Sequence, residues 1–128
     1  MAGIFRKLAC SYIFTKIIGL LFTHASFLMP GEWLGETEHW MAVRHPRPAY
    51  PVHILLIPEK PIRDWLSFPA DAPELYGEFV RLSQRLILAE GLETKGYRLI
   101  INGGEFQSIP QLHIHLVSGE PKGAAKKE

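Results

Sequence analysis

The residues best suited to chemistry stand close together near the C-terminal end, in the run Gln107-Ser-Ile-Pro-Gln-Leu-His-Ile-His-Leu-Val117. A strand sends successive side chains to opposite faces, so Gln111, His113 and His115 share one face and Leu112, Ile114 and Leu116 the other. The apolar set takes the core side, which leaves two imidazoles and an amide to line a cleft. Imidazole suits proton transfer, nucleophilic attack and metal ligation near neutral pH. Just upstream, Gly103 and Gly104 let backbone N–H groups approach an anion, and Gln107 and Ser108 add side-chain donors, a composition that fits a phosphate cradle. Most Gly-Gly pairs are simply turns, and a single histidine on a strand is more often an ordinary surface residue. Two histidines at i and i+2, directly after such a loop, favour function.

Other elements must position that strand. Tyr97-Arg-Leu-Ile-Ile-Asn102 and Leu112–Val117 read as two strands joined by the glycine loop. Val52-His-Ile-Leu-Leu-Ile57, bounded by Pro51 and Pro58, is a nearly continuous apolar run that suits a strand buried on both faces. Thr37–Arg44 is a further candidate strand, and the prolines of His45-Pro-Arg-Pro-Ala-Tyr-Pro51 require an extended loop without ladder hydrogen bonds. Between the strands, Leu75, Phe79, Leu82, Leu86 and Ala89 make the apolar stripe of a long helix, with Asp71 or Ser67 as its cap and Gly91 as its stop. Glu74, Glu78, Arg81 and Arg85 occupy its other side. One helix on an antiparallel sheet gives an α+β domain.

The chain has 128 residues, 47% of them hydrophobic and 21% charged, which supports one core: a single domain over residues 1–120 and a frayed tail over 121–128. Lys and Arg number 14 against 13 Asp and Glu, so there is no basic excess for a nucleic-acid groove, and any nucleotide bound is a small one. The single Cys10 cannot close an internal disulfide, in keeping with a reducing, cytoplasmic setting. The apolar N-terminal stretch is broken by Lys16 and His24, well short of the ~20 apolar residues of a membrane span. Ile4, Phe5, Leu8, Tyr12 and Ile13 recur at helical spacing, which favours a helix packed on the core over peripheral membrane contact. Trp33, Trp40 and Trp65 sit among apolar neighbours and read as core or rim.

Three ordered blocks, Val52-His-Ile-Leu-Leu-Ile-Pro-Glu-Lys60, Gly96-Tyr-Arg-Leu-Ile-Ile-Asn102 and Gln107–Val117, resemble the histidine-triad family, and Ile13-Phe-Thr-Lys-Ile-Ile18 is similar to that family's N-terminal block. The resemblance implies a five-stranded antiparallel sheet with one long helix and an N-terminal helix, commonly paired into a two-fold dimer with a continuous sheet. It places the family's nucleophile on His113, its phosphate-contacting third histidine on His115 and a supporting histidine on His53. By the same matching, Asn102, Gln107 and Ser108, with the Gly104 loop, hold ribose, leaving group and phosphate. Ile13, Phe14, Ile17 and Val43 wall the base, and His45 stands where many members carry an acidic ribose contact.

The activity implied is hydrolysis or transfer of a nucleoside monophosphate, from a phosphoramidate or dinucleoside polyphosphate, through a nucleotidyl-histidine intermediate. The ligand would be a purine nucleotide or nucleotide conjugate, with no cofactor and no metal. Neutral imidazole attacks phosphorus without prior deprotonation, its reference pKa being about 6.5. The sequence departs from the pattern in four places. Gln111 replaces the first histidine and cannot titrate; the Asn102–Gln107 loop is shorter; His45 replaces the acidic residue; and Tyr12 and Thr15 stand where some relatives have zinc-binding cysteines. Two other readings stay open: a nucleotide-binding or scaffold protein with weak or no catalysis, and a metal site on His113, His115 and His53 or Glu105.

Overall fold

The computed structural model describes residues 32–123. Its five strands are β1 (Trp33–Glu36), β2 (Trp40–Arg44), β3 (Val52–Pro58), β4 (Arg98–Ile101) and β5 (Ile114–Ser118), with helices α1 (Pro73–Ala89) and α2 (Leu92–Lys95) between β3 and β4. The sheet order is β1-β2-β3-β5-β4, every pair antiparallel. This is the α+β architecture expected from the sequence: one five-stranded antiparallel sheet and one long helix. The expected N-terminal helix lies outside the described residues.

β3 is the middle strand, and its apolar run is divided between two cores. Ile54 and Leu56 face α1 with Trp40, Ala42, Leu112, Ile114, Leu116, Leu82 and Leu86. Leu55 and Ile57 face the opposite way with Met41, Val43 and Ile109. Burial on both faces explains the lack of a polar alternation. α1 is held to the first core partly by Trp40, which is fully buried and donates its indole N–H to the Leu75 carbonyl at 2.9 Å. At the other end of the helix, the Arg44 guanidinium forks onto both Glu90 oxygens at 2.7 and 3.0 Å, joining the helix terminus to the end of β2.

Several local expectations are corrected. Thr37–Arg44 is not one strand, because the Thr37 N–H bonds the Trp40 carbonyl at 2.8 Å and its hydroxyl accepts from Trp40 N–H at 3.1 Å, closing a turn between β1 and β2. β1 was hidden by Gly35, whose φ of +145° accompanies a register shift against β2. Neither Asp71 nor Ser67 caps α1. Ala72 stands at the cap without a side-chain bond and Pro73 supplies the start, whereas Asp64 caps the short 3-10 turn Trp65–Ser67. Gly91, with φ +67°, turns the chain just after Glu90 closes α1. Ala89 is exposed and Ile87 is buried in its place on the apolar stripe. The histidine strand begins at Ile114 rather than Leu112.

Candidate functional site

The antiparallel register lines up three histidines on the face away from α1. Arg44 pairs with Ile54, and the next step brings the His45 N–H to the His53 carbonyl at 2.8 Å. On the other side of β3, His115 lies opposite Leu55, one diagonal step from His53. Diagonal neighbours on one sheet face are within reach of aromatic side chains. The rings accordingly meet: His45 and His53 have centroids 4.4 Å apart, His53 and His115 5.1 Å, and His115 and His113 5.0 Å.

Hydrogen bonds then fix where each proton sits. His53 Nδ1 accepts the Ala49 N–H at 3.0 Å, so the neutral ring carries its proton on Nε2, which donates to His115 Nδ1 at 2.8 Å. His115 must therefore carry its own proton on Nε2. His113 is set the other way. Its Nδ1–H donates to the Gln111 carbonyl at 2.8 Å, leaving a lone pair on Nε2. Two neighbouring imidazoles are thus held in opposite tautomers, one offering a lone pair and the other an N–H. That is a nucleophile beside a hydrogen-bond donor.

The same cluster resists protonation. Burial lowers His115 to about 3, with the His113 and His53 charges adding to the effect. Burial likewise takes His45 and His53 to about 4, again helped by the neighbouring imidazoles. For His113, burial lowers the pKa while the bond to the Gln111 carbonyl works in the opposite direction. Near neutral pH all four rings are uncharged, which the lone pair on His113 requires.

Not every residue singled out in the sequence points into this cluster. Gln111 is almost wholly buried, and its amide rests at 3.5 and 3.4 Å from the Lys60 and Leu112 carbonyls; its main-chain carbonyl is what orients His113. Gln107 donates to the Arg63 and Ile109 carbonyls at 2.7 and 2.9 Å, so its amide fastens the loop instead of standing ready for an anion. Gly104 adopts φ +57°, a conformation glycine tolerates best, and together with Ser108 and Gln107 it lines a small cavity of about 220 Å³ beside Arg63 and Asp64. Val43 is fully buried in the core on the histidine face. Asn102 is half-buried between β4 and the glycine loop. Ile13, Phe14 and Ile17 lie outside the described residues. Among the described residues no group of three or more His, Cys, Asp or Glu is arranged to hold a metal ion.

The family model described as HIT domain matches residues 28–122, well over half of the chain. The chain belongs to the HIT family. A HIT-like protein of Chlamydia pneumoniae is 38% identical over 99 residues, 76% of this chain and 89% of the relative. A purine nucleoside phosphoramidase of Escherichia coli K12 is 30% identical over 99 residues, covering 74% and 82%. Among solved structures, a HIT family hydrolase from Legionella pneumophila superposes with a TM-score of 0.64 at 34% identity, covering 72% of this chain and 84% of that one. The HIT match spans every element that builds the histidine cluster, from β1 to the segment after β5.

Two parts of the HIT site escape a reading by residue type. The Ala49 N–H and the Gln111 carbonyl set the histidine tautomers, and both are main-chain groups with no side-chain signature. A clue to the first lay in the proline-rich loop: Pro46, Pro48 and Pro51 carry no N–H, so a donor needed there had to come from a residue between them.

Proposed function

We propose that this HIT protein is a nucleotide hydrolase or transferase in which His113 attacks the α-phosphorus of a nucleoside phosphoramidate or related conjugate. The observation that carries the reading is the pairing of opposite tautomers on His113 and His115. The His113 Nε2 lone pair forms the N–P bond as the bond from phosphorus to the leaving amine breaks; the Nε2–H of His115 hydrogen-bonds to the departing nitrogen, which takes its proton from solvent. Water then adds to phosphorus, releases the nucleoside monophosphate from His113 and gives up one proton to solvent. His53 keeps His115 in the donating tautomer. Gln111 contributes its carbonyl, so the triad is read as a diverged Gln-x-His-x-His with its nucleophile intact. The phosphoramidase activity named for the Escherichia coli relative supports the substrate class.

Release of AMP from adenosine 5′-phosphoramidate, followed by chromatography for the chain and for His113→Ala, tests the reading. The chain should turn the substrate over and the variant should lose at least about a thousandfold in kcat, the nucleophile being irreplaceable by water at that position. Nucleotide binding without turnover in the unsubstituted chain would favour the binding-protein reading.

A two-fold dimer through the outer edge of β4 is the second part of the proposal. Among the described residues β4 pairs with β5 alone, and Leu99 and Ile101 on it and Val80 and Leu88 on α1 are exposed. Sedimentation should give twice the chain mass, and Ile101→Glu should halve it.

A further inference from the structure

The histidine pair is held from behind by the segment that follows β5. The loop bearing Ala49 has prolines at 46, 48 and 51, so sheet hydrogen bonds do little to hold it in place. It is fastened instead at two points. The Ala49 carbonyl accepts the Lys122 N–H at 2.7 Å, while the N–H of the same residue sits on His53 Nδ1. Two residues on, the Pro51 ring packs directly over Gly119. A Cβ at Gly119 would lie 2.7 Å from Pro51 Cγ and 2.9 Å from Cδ, and the backbone there has φ +87°, so glycine is needed both for room and for conformation. The base of the segment is anchored in turn by the Ser118 hydroxyl, which donates to the Gly96 carbonyl at 2.7 Å.

The connection is continuous from the chain's late residues to the reacting pair: Lys122 N–H to Ala49 carbonyl, Ala49 N–H to His53, His53 to His115. Strand β5 supplies His115, and its own continuation returns to hold the residue that sets His115's tautomer. We propose that Gly119–Lys122 is a positioning strap that keeps the His115 proton on Nε2 by pinning the Ala49 N–H against His53. The proposal rests on the reading of His115 as the hydrogen-bond donor to the leaving group. Lys122 takes part through its main-chain N–H and its side chain is exposed, so residue type there should be immaterial except for proline.

Three full-length variants separate the possibilities. Lys122→Pro removes the N–H, Lys122→Ala keeps it, and Gly119→Ala drives a methyl group into Pro51. Each is followed by ¹⁵N spectra of the imidazole nitrogens near neutral pH and by kcat and KM on adenosine 5′-phosphoramidate. In the parent chain and Lys122→Ala, His53 and His115 should each show a protonated Nε2 and a bare Nδ1. In Lys122→Pro and Gly119→Ala the two rings should show mixed tautomers, and kcat should fall roughly three- to tenfold, the equivalent of one ordinary hydrogen bond, with KM little changed. Parent-like nitrogen signals in both disruptive variants would overturn the strap, as would a loss in Lys122→Ala equal to that in Lys122→Pro. Mixed tautomers with undiminished kcat would uphold the strap and instead contradict His115 as the donor to the leaving group. The spectra need no turnover, so they decide the strap even if the proposed activity is absent.

Discussion

Lowering the pH should unfold this protein sooner than its carboxylates require, because its site imidazoles are neutral when folded. His45 and His53 titrate at about 4 and His115 at about 3 in the fold, against about 6.5 in an unfolded chain. Between those limits the unfolded state binds protons that the folded state refuses, so stability is fully present above pH ~6.5, declines as pH falls and levels off below the folded values. One such group contributes at most about 1.4 kcal/mol per pH unit. His45 and His53 retain some solvent contact, so a discounted total for the three is roughly 2–3 kcal/mol per pH unit. The lowered carboxyls of Glu78, bound by His39, and Glu90, bound by Arg44, contribute stability that is lost only as pH falls below their ordinary value of 4.5. The slope above pH ~5 therefore belongs to the histidines. Urea unfolding at half-unit steps from about pH 7.5 to about pH 5 reads it directly, and His115→Gln should flatten it by up to about a third. A stability unchanged from pH ~7 to pH ~5 would refute the buried, neutral cluster.

Two further substitutions separate side-chain from main-chain roles. Gln111→Ala should lower kcat by less than about tenfold, since the carbonyl that orients His113 is retained and the lost amide bonds are long; a hundredfold loss would show the amide acting in the reaction. Trp40→Phe should cost about 1–3 kcal/mol in urea unfolding, by leaving the buried Leu75 carbonyl without its indole donor, while kcat/KM stays unchanged because Trp40 faces α1 and not the histidines.

Much of the fold was legible because burial imposed simple patterns. Val52–Ile57 reads as a doubly buried strand, and the Leu75–Leu86 stripe does pack on the sheet there, against Ile54 and Leu56. The face assignment on β5 followed from alternation alone: Leu112, Ile114 and Leu116 pack under α1, and His113 and His115 meet on the other side. What escaped was either short or main-chain. β1 is a four-residue strand with a bulge at Gly35, too brief for a period to show. The donor expected from Gln107 is consumed in holding its own loop, a use that depends on where Arg63 lies and so on tertiary structure. His45 matched an acidic position in the family pattern. Its Nδ1 accepts the Arg47 N–H at 3.0 Å, which leaves it an Nε2–H to donate, the reverse of what a carboxylate offers.

The proposed chemistry turns on a nucleotidyl-histidine bond at His113. Single-turnover reaction with adenosine 5′-phosphoramidate, quenched in alkali to preserve the acid-labile P–N bond, followed by proteolysis and fragment mass spectrometry, tests it most directly. An adenylyl group should appear on His113, transient in the parent chain and absent from His113→Ala. An adduct on His115, or undiminished turnover in His113→Ala, would contradict it.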